Sequence, residues 1–155
     1  MELEQGQKIA AEVVERLKPY CRKIEVAGSI RRRKPLVNDI DLVLIPKDLW
    51  ALHNAVVKLG QVTMGGKKIM RVMVGVRQVD IYVANEETWA TLLLIRTGSA
   101  ENNIRLASLA KKRGWRLAAS GDGLFNEKGE RIAGDTEESI FEALSLPYKE
   151  PWERE

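Results

Sequence analysis

The chain of 155 residues contains one cysteine, Cys21, and one histidine, His53. A lone thiol closes no internal disulfide, and no Cys/His set of zinc spacing surrounds His53. Disulfide scaffolds and zinc modules are therefore excluded, and a reducing, cytoplasmic setting is expected. Long hydrophobic runs are missing too. The longest apolar stretches, such as Leu92 to Ile95, fall far short of a bilayer-spanning length, and Met1-Glu2-Leu3-Glu4-Gln5 lacks the arrangement of a secretory signal, so no membrane association is expected. Neither sign of charge dominates, because 25 Lys and Arg stand against 22 Asp and Glu, a formal net charge of +3. That excess weakly favours an anionic partner, and the placement of the charges has to decide. What is present is an ordinary globular composition, 45% hydrophobic and 30% charged, which excludes disordered, collagenous and coiled-coil classes. A folded chain of this length buries roughly 70% of its extended surface, enough for one domain or two small lobes.

Ile9, Ala10, Val13, Val14 and Leu17 recur at helical spacing opposite Lys8, Glu12, Glu15 and Arg16, which predicts an amphipathic helix over residues 5–18, ended by Pro19. Alternation predicts a strand over 23–27. A basic loop follows over 31–34, then a second strand over 39–45 closed by Pro46. A helix is predicted over 48–59, followed by a meander of strands over 61–64, 67–74 and 77–83 with a turn at Gly65-Gly66. From Glu86 the pattern changes to a helix, a break at Thr97-Gly98-Ser99, and a second helix capped by Ser99 and stopped by Gly114. Short strands near 115–117 and 131–132, separated by glycine turns, and a helix over 137–144 complete an α+β chain. The change of pattern places a lobe boundary near residue 90.

Chemistry concentrates at Asp39-Ile40-Asp41. A strand sends alternate side chains to one face, so the two carboxylates aim the same way from a segment otherwise built for burial. Close like charges there call for a cation. Asp80, in the apolar strand Val79-Asp80-Ile81, completes the site if the two strands are neighbours, and three oxygen ligands suit Mg²⁺ or Mn²⁺ rather than zinc. Upstream, Gly28-Ser29 ends a strand where backbone N–H groups and a hydroxyl form an anion cradle, and Arg31, Arg32 and Arg33 supply forked phosphate donors.

These segments, Gly28-Ser29-Ile30-Arg31-Arg32, Asp39-Ile40-Asp41 and Val79-Asp80-Ile81, resemble the palm of the nucleotidyltransferase superfamily and, within it, of the X family of DNA polymerases. Thr97-Gly98-Ser99, Asn103-Ile104-Arg105, Glu137-Glu138-Ser139-Ile140-Phe141 and Leu146-Pro147-Tyr148-Lys149-Glu150-Pro151 are similar to that family's nucleotide-binding thumb and C-terminus. The resemblance covers essentially the whole chain. It implies a palm at 1–90, a small mixed sheet with helices, and a small α/β thumb at 91–155. It also implies a minimal form without the lyase domain and the DNA-gripping helical subdomain of larger members. The implied activity is two-metal nucleotidyl transfer from a dNTP to a primer 3'-hydroxyl, serving short-gap filling in DNA repair, by a monomer. Asp39, Asp41 and Asp80 are then catalytic and metal-binding, with two Mg²⁺ ions or Mn²⁺ in their place, and Asp80 is also the proton acceptor. Gly28, Ser29, Arg32, Arg96, Gly98 and Asn103 would bind the nucleotide. Lys67, Lys68, Arg71 and Arg105 would touch the primer-template or gapped DNA. Ile95 and Arg96 stand where many members place two aromatics beneath the sugar, so ribonucleotide use enters as a hypothesis, and Gln78 stands where larger members often carry arginine.

In the helix after Ser99, Arg105, Ser108 and Lys112 share one face, a candidate phosphate-facing stripe, while Ile104, Ala107, Leu109 and Ala110 supply apolar packing. Other features read as structural. Trp50, Trp89 and Trp115 are expected in the core, His53 on a helix surface and Cys21 as a packed small side chain. Two rival functions stay open: template-independent nucleotidyl transfer to a nucleic-acid end, a protein or a small molecule, and a non-catalytic nucleic-acid-binding module. Retention of all three carboxylates counts against the second.

Overall fold

The computed structural model describes residues 1–155. The amphipathic N-terminal segment forms helix α1, Leu3–Leu17, and buries Gly6, Ala10, Val13 and Leu17 along one stripe. A 3-10 turn at Lys18–Tyr20, with Pro19 in it, leads into β1, Cys21–Val26. Then come the short helix α2, Gly28–Arg31, strand β2, Ile40–Pro46, and helix α3, Leu49–Val57, whose cap is the Asp48 carboxylate accepting from the Ala51 amide. Strands β3, Gln61–Gly65, β4, Ile69–Val74, and β5, Arg77–Val83, form the expected meander. The sheet order is β1-β2-β5-β4-β3, with β2 and β5 parallel and every other pair antiparallel.

The two central strands have two apolar faces. Ile40, Leu42 and Leu44 of β2 and Val79 and Ile81 of β5 join a core with Ala10, Val13 and Leu17 of α1 and Leu52 and Val56 of α3. The alternate residues Val43 and Ile45 pack on the opposite face against Leu92 and Leu93. Period two therefore assigns Asp41 and Asp80 to that second face, the side that meets the rest of the chain.

Helix α4, Trp89–Thr97, lies along it, followed by α5, Ala100–Lys112, the three short strands β6, Arg116–Leu117, β7, Leu124–Phe125, and β8, Arg131–Ala133, and helix α6, Glu137–Ala143. These strands form a separate antiparallel sheet. The second core gathers Leu94, Leu106, Ala110, Leu124, Ile140 and Phe141. Thus α4 serves both lobes, giving Leu92 and Leu93 to the first and Leu94 to the second. No helix is long and apolar enough to cross a membrane.

Three sequence expectations need correction, and one strand was not expected. Helix α4 starts at Trp89 rather than Glu86, because the Asn85 side chain accepts from the amides of Glu87 and Thr88 and turns the chain there. Strand β7 is unpredicted, since two residues beside Gly123 are too few to show a period. On α5 the buried line is Asn102, Leu106 and Ala110, whereas Ile104 is 65% exposed and Ala107 is exposed. Trp50 is 75% exposed rather than in the core: α3 buries Leu52, Ala55 and Val56, and a residue two before Leu52 lies on the far side of the helix.

Candidate active site

Because β2 and β5 run in parallel register, Asp41 stands directly beside Asp80. The Gln78 amide donates to Asp39 Oδ2 at 3.4 Å and to both Asp80 oxygens at 3.3 Å, so all three carboxylates share one neighbourhood. Asp80 is only 5% exposed and accepts from Arg71 Nε at 2.7 Å across the β4–β5 pair. Asp41 has no such cation. Burial first, then the charges of Asp80 and Asp39, push its carboxyl up to about 6 against the opposing pull of Arg96 and Arg32.

No three Asp, Glu, His or Cys side chains are arranged in this conformation as a set that encloses a metal ion. Gln78 bridges Asp39 and Asp80, and Arg71 occupies one Asp80 oxygen. The chemistry of the donors nevertheless fits a hard, oxygen-seeking divalent cation. They are all carboxylate oxygens on or beside neighbouring strands, and burial, reinforced by the charges of Asp80 and Asp39, raises the Asp41 pKa against the pull of Arg96 and Arg32.

Helix α2 brings the anion cradle onto these carboxylates. Gly28 has φ +61, and a Cβ there would sit inside the contact shell of Asp41 Oδ2, so only glycine lets the start of α2 approach so closely. The first-turn amides of Gly28 and Ser29 have no acceptor within the helix. Around them opens a cleft of about 750 Å³, lined by Ser29, Arg32, Asp39 and Asp41 from one lobe and by Arg96, Gly98 and Asn103 from the other. Arg32 Nη1 donates to the Thr97 carbonyl, and Arg96 lies over the Tyr82 ring with its guanidinium carbon 4.2 Å from the ring centre. Asn103 donates to the Ile95 carbonyl at 2.8 Å. Arg32 Nε, Arg96 Nε and Asn103 Oδ1 are buried without a partner, so this wall keeps unused bonding capacity.

The basic run divides its labour. Arg32 lines the cleft, but Arg31 does not serve phosphate there. Its two terminal nitrogens clasp Glu137 at 2.9 and 2.7 Å, and Nη1 also donates to the Thr97 hydroxyl. Glu137 accepts in addition from Arg154 Nη1 at 2.7 Å, and Arg154, with none of its surface exposed, reaches the Lys149 carbonyl and the Tyr148 hydroxyl. Burial alone would raise the Glu137 pKa. The bonds and charges of the two arginines outweigh it and hold the carboxyl below its ordinary value. Arg33 turns outward over the Trp152 ring at 3.8 Å. Arg31 ends α2, Arg32 caps it and Arg33 takes a left-handed φ of 59, so the backbone sends three adjacent arginines in three directions.

Lys67 and Lys68 are exposed at the β3–β4 turn, and Arg105 is exposed on α5; none of them lines this cleft. Cys21 is buried and its thiol is pushed up to about 11, chiefly by burial, so it is no nucleophile. Sequence reasoning missed Tyr82, the seat of Arg96, although a residue two after Asp80 on the same strand shares its face. It also missed the Glu137–Arg31–Arg154 tie, for which the sequence carries no local signal.

The family model of the DNA polymerase beta thumb matches residues 92–155. The chain is 28% identical over 156 residues to the DNA polymerase/3'-5' exonuclease PolX of Bacillus subtilis (strain 168), a match covering 96% of this chain and 27% of that protein. It is 39% identical over 88 residues to DNA polymerase lambda of Rattus norvegicus, covering 51% of this chain and 15% of that one. The chain thus spans about a quarter or less of the length of these relatives. Its fold resembles that of polymerase beta of Leishmania infantum in a ternary gap complex, with a TM-score of 0.85 at 18% identity, covering all of this chain and 70% of that one. The corresponding ternary P/T complex gives 0.84 at 19% identity, with 76% of that chain covered.

Proposed function

We propose that this chain, whose residues 92–155 match the polymerase beta thumb model, works as a family X DNA polymerase, transferring a nucleotidyl group from a dNTP to a primer 3'-hydroxyl and filling short gaps in DNA. The observation that carries this reading is the meeting of Gly28 with Asp41 at the foot of a cleft walled by both lobes, with Asp80 beside Asp41. Asp39, Asp41 and Asp80 would hold two Mg²⁺ ions, whose chemistry when bound is to lower the pKa of the primer hydroxyl and to neutralise the departing pyrophosphate.

The chain's own groups do the positioning. The amides of Gly28 and Ser29, the Ser29 hydroxyl and the Arg32 guanidinium donate to the β and γ phosphate oxygens. Asp80 Oδ1 is taken by Arg71 at 2.7 Å, whereas Oδ2 has only the 3.3 Å contact from Gln78. Oδ2 is therefore the freer acceptor for the primer hydroxyl's proton. Residues 1–90 act as the palm and 91–155 as the thumb, which brings Arg96, Gly98 and Asn103 to the nucleotide. Lys67, Lys68, Arg71 and Arg105 contact DNA around this centre, Arg71 through the terminal nitrogens it does not use on Asp80. Arg96 sits on Tyr82 instead of offering a flat ring to the sugar, so discrimination between dNTP and NTP is weak.

The test offers the protein a labelled primer alone, an open primer-template and a single-nucleotide gap, with each dNTP or ATP and Mg²⁺ or Mn²⁺. Extension that follows the templating base, lost in Asp80→Ala, is the expected result. Extension indifferent to the template would replace this reading with terminal transfer. DNA binding without product from the folded chain would reduce it to a binding module.

A further inference from the structure

Four clefts share lining residues in sequence. The nucleotide cleft has Tyr82 and Arg96 in common with a smaller one, which has Lys68 and Ser120 in common with a third, and the third meets a fourth at Lys67. Together they trace a trough from the candidate active site, over the β3–β4 turn, to the outer face of α3. The cations lining its three outer clefts are Arg96, Lys68 and Lys67. Among the residues lining the three outer clefts, Asp122 is the one carboxylate, and it already accepts from the Ser120 hydroxyl at 2.7 Å.

The trough ends in a cleft of about 440 Å³ walled by Leu49, Trp50, His53, Gly65 and Lys67. No acidic group lines it. Trp50 leaves 75% of its surface in water although α3 has a core available on its other side. The indole leaves apolar surface in water, and it sits at the end of a line of positive charge. A flat, apolar face joined to negative charge answers both features. A nucleobase with its phosphates has that combination, and only an unpaired base leaves its face free to stack. An apolar protein segment would fill the cleft but leave the cations unanswered.

We propose that this trough carries an unpaired nucleic-acid strand between the nucleotide cleft and α3, and that Trp50 stacks one of its bases while Lys67 pairs with an adjacent phosphate. Such binding needs neither nucleotide nor divalent cation, so it stands or falls apart from the catalysis proposed above.

The experiment is a fluorescence-anisotropy titration of the full chain with labelled oligo(dT) of roughly ten nucleotides, a length within the site sizes of single-strand binders. EDTA is present and no dNTP is added. Trp50→Ala should weaken binding roughly 5- to 150-fold, the span of one lost base-aromatic stack, while Trp50→Phe keeps most of the affinity. Trp152→Ala, which removes another exposed indole, should leave it unchanged. Lys67→Ala should lower the slope of log K against log salt by about 0.7. Unchanged melting temperatures show that the variants fold. Absence of binding by the parent chain, equal affinity for Trp50→Ala, or equal losses for Trp50→Ala and Trp152→Ala would each overturn the proposal. So would an oligonucleotide-independent dimer in sedimentation that Trp50→Ala dissolves, because the face would then be covered by a second copy.

Discussion

Glu137 and Asp41 are both carboxylates withdrawn from water, and their neighbours treat them in opposite ways. Glu137 lies between Arg31 and Arg154, makes three bonds of 2.7–2.9 Å to them, and keeps its charge more readily than an ordinary glutamate. Asp41 shares its space with Asp80 and Asp39, and the cations nearby are committed elsewhere: Arg71 to Asp80, Arg32 to the Thr97 carbonyl, Arg96 to the Tyr82 ring. Arg31 belongs to the first lobe and Glu137 to the second, so the satisfied cluster ties the two lobes together. The unsatisfied one opens into the cleft between them. Charge compensation is thus complete at Glu137 and incomplete at Asp41.

The sharpest way to break this comparison is Asp41→Asn. Primer extension should fall on the order of 10³-fold, while the metal-free protein melts at the same or a higher temperature because a repelling charge is gone. A clear fall in melting temperature would mean that Asp41 is structural. Gly28→Ala comes next. It requires a positive φ from alanine and drives a methyl group against Asp41, so extension should fall on the order of 10²-fold, the scale set by a misplacement of about 1 Å.

Glu137→Gln tests the other cluster. It leaves the fully enclosed Arg154 without a counter-charge and should cost about 3–5 kcal/mol, lowering the melting temperature on the order of 10 °C. An unchanged urea or thermal melt would dissolve the contrast. The smallest effect lies in the pH profile of stability, where the two acids have opposite signs. Glu137 has its folded pKa lowered, so its stabilisation is present above the unfolded value near 4.3 and is lost as pH falls through the folded one. Asp41 has its folded pKa raised to about 6, so its penalty is absent below about 3.9 and grows as pH rises toward 6. Melts from pH 3 to 7 should accordingly lose acid sensitivity below pH 4 in Glu137→Gln and lose the decline between about 4 and 6 in Asp41→Asn.

Much of this was legible in the residue order. Alternation in β2 put Asp41 on the face opposite Ile40 and Leu42, although Asp39 lies one residue before the strand, and the helical spacing of Ile9 to Leu17 marked α1. Ser99 announced the start of α5, where its hydroxyl accepts from the Asn102 amide. Elements shorter than one period were not legible, as with β7, and neither was the orientation of side chains at the edge of a pattern, as with Trp50 and Ile104. Arg31, Arg32 and Arg33 looked equivalent because composition records charge without direction.

The sequence by itself determined which residues could carry charge into an apolar strand and where glycine had to stand, because period and backbone freedom are local properties. Only the tertiary structure decided that β5 returns parallel to β2 and sets Asp80 beside Asp41, and that Arg31 meets a glutamate 106 residues away instead of a phosphate. Those outcomes depend on which faces pack together. Packing is settled by the burial of whole sheet and helix faces, and no short stretch of residues contains that information.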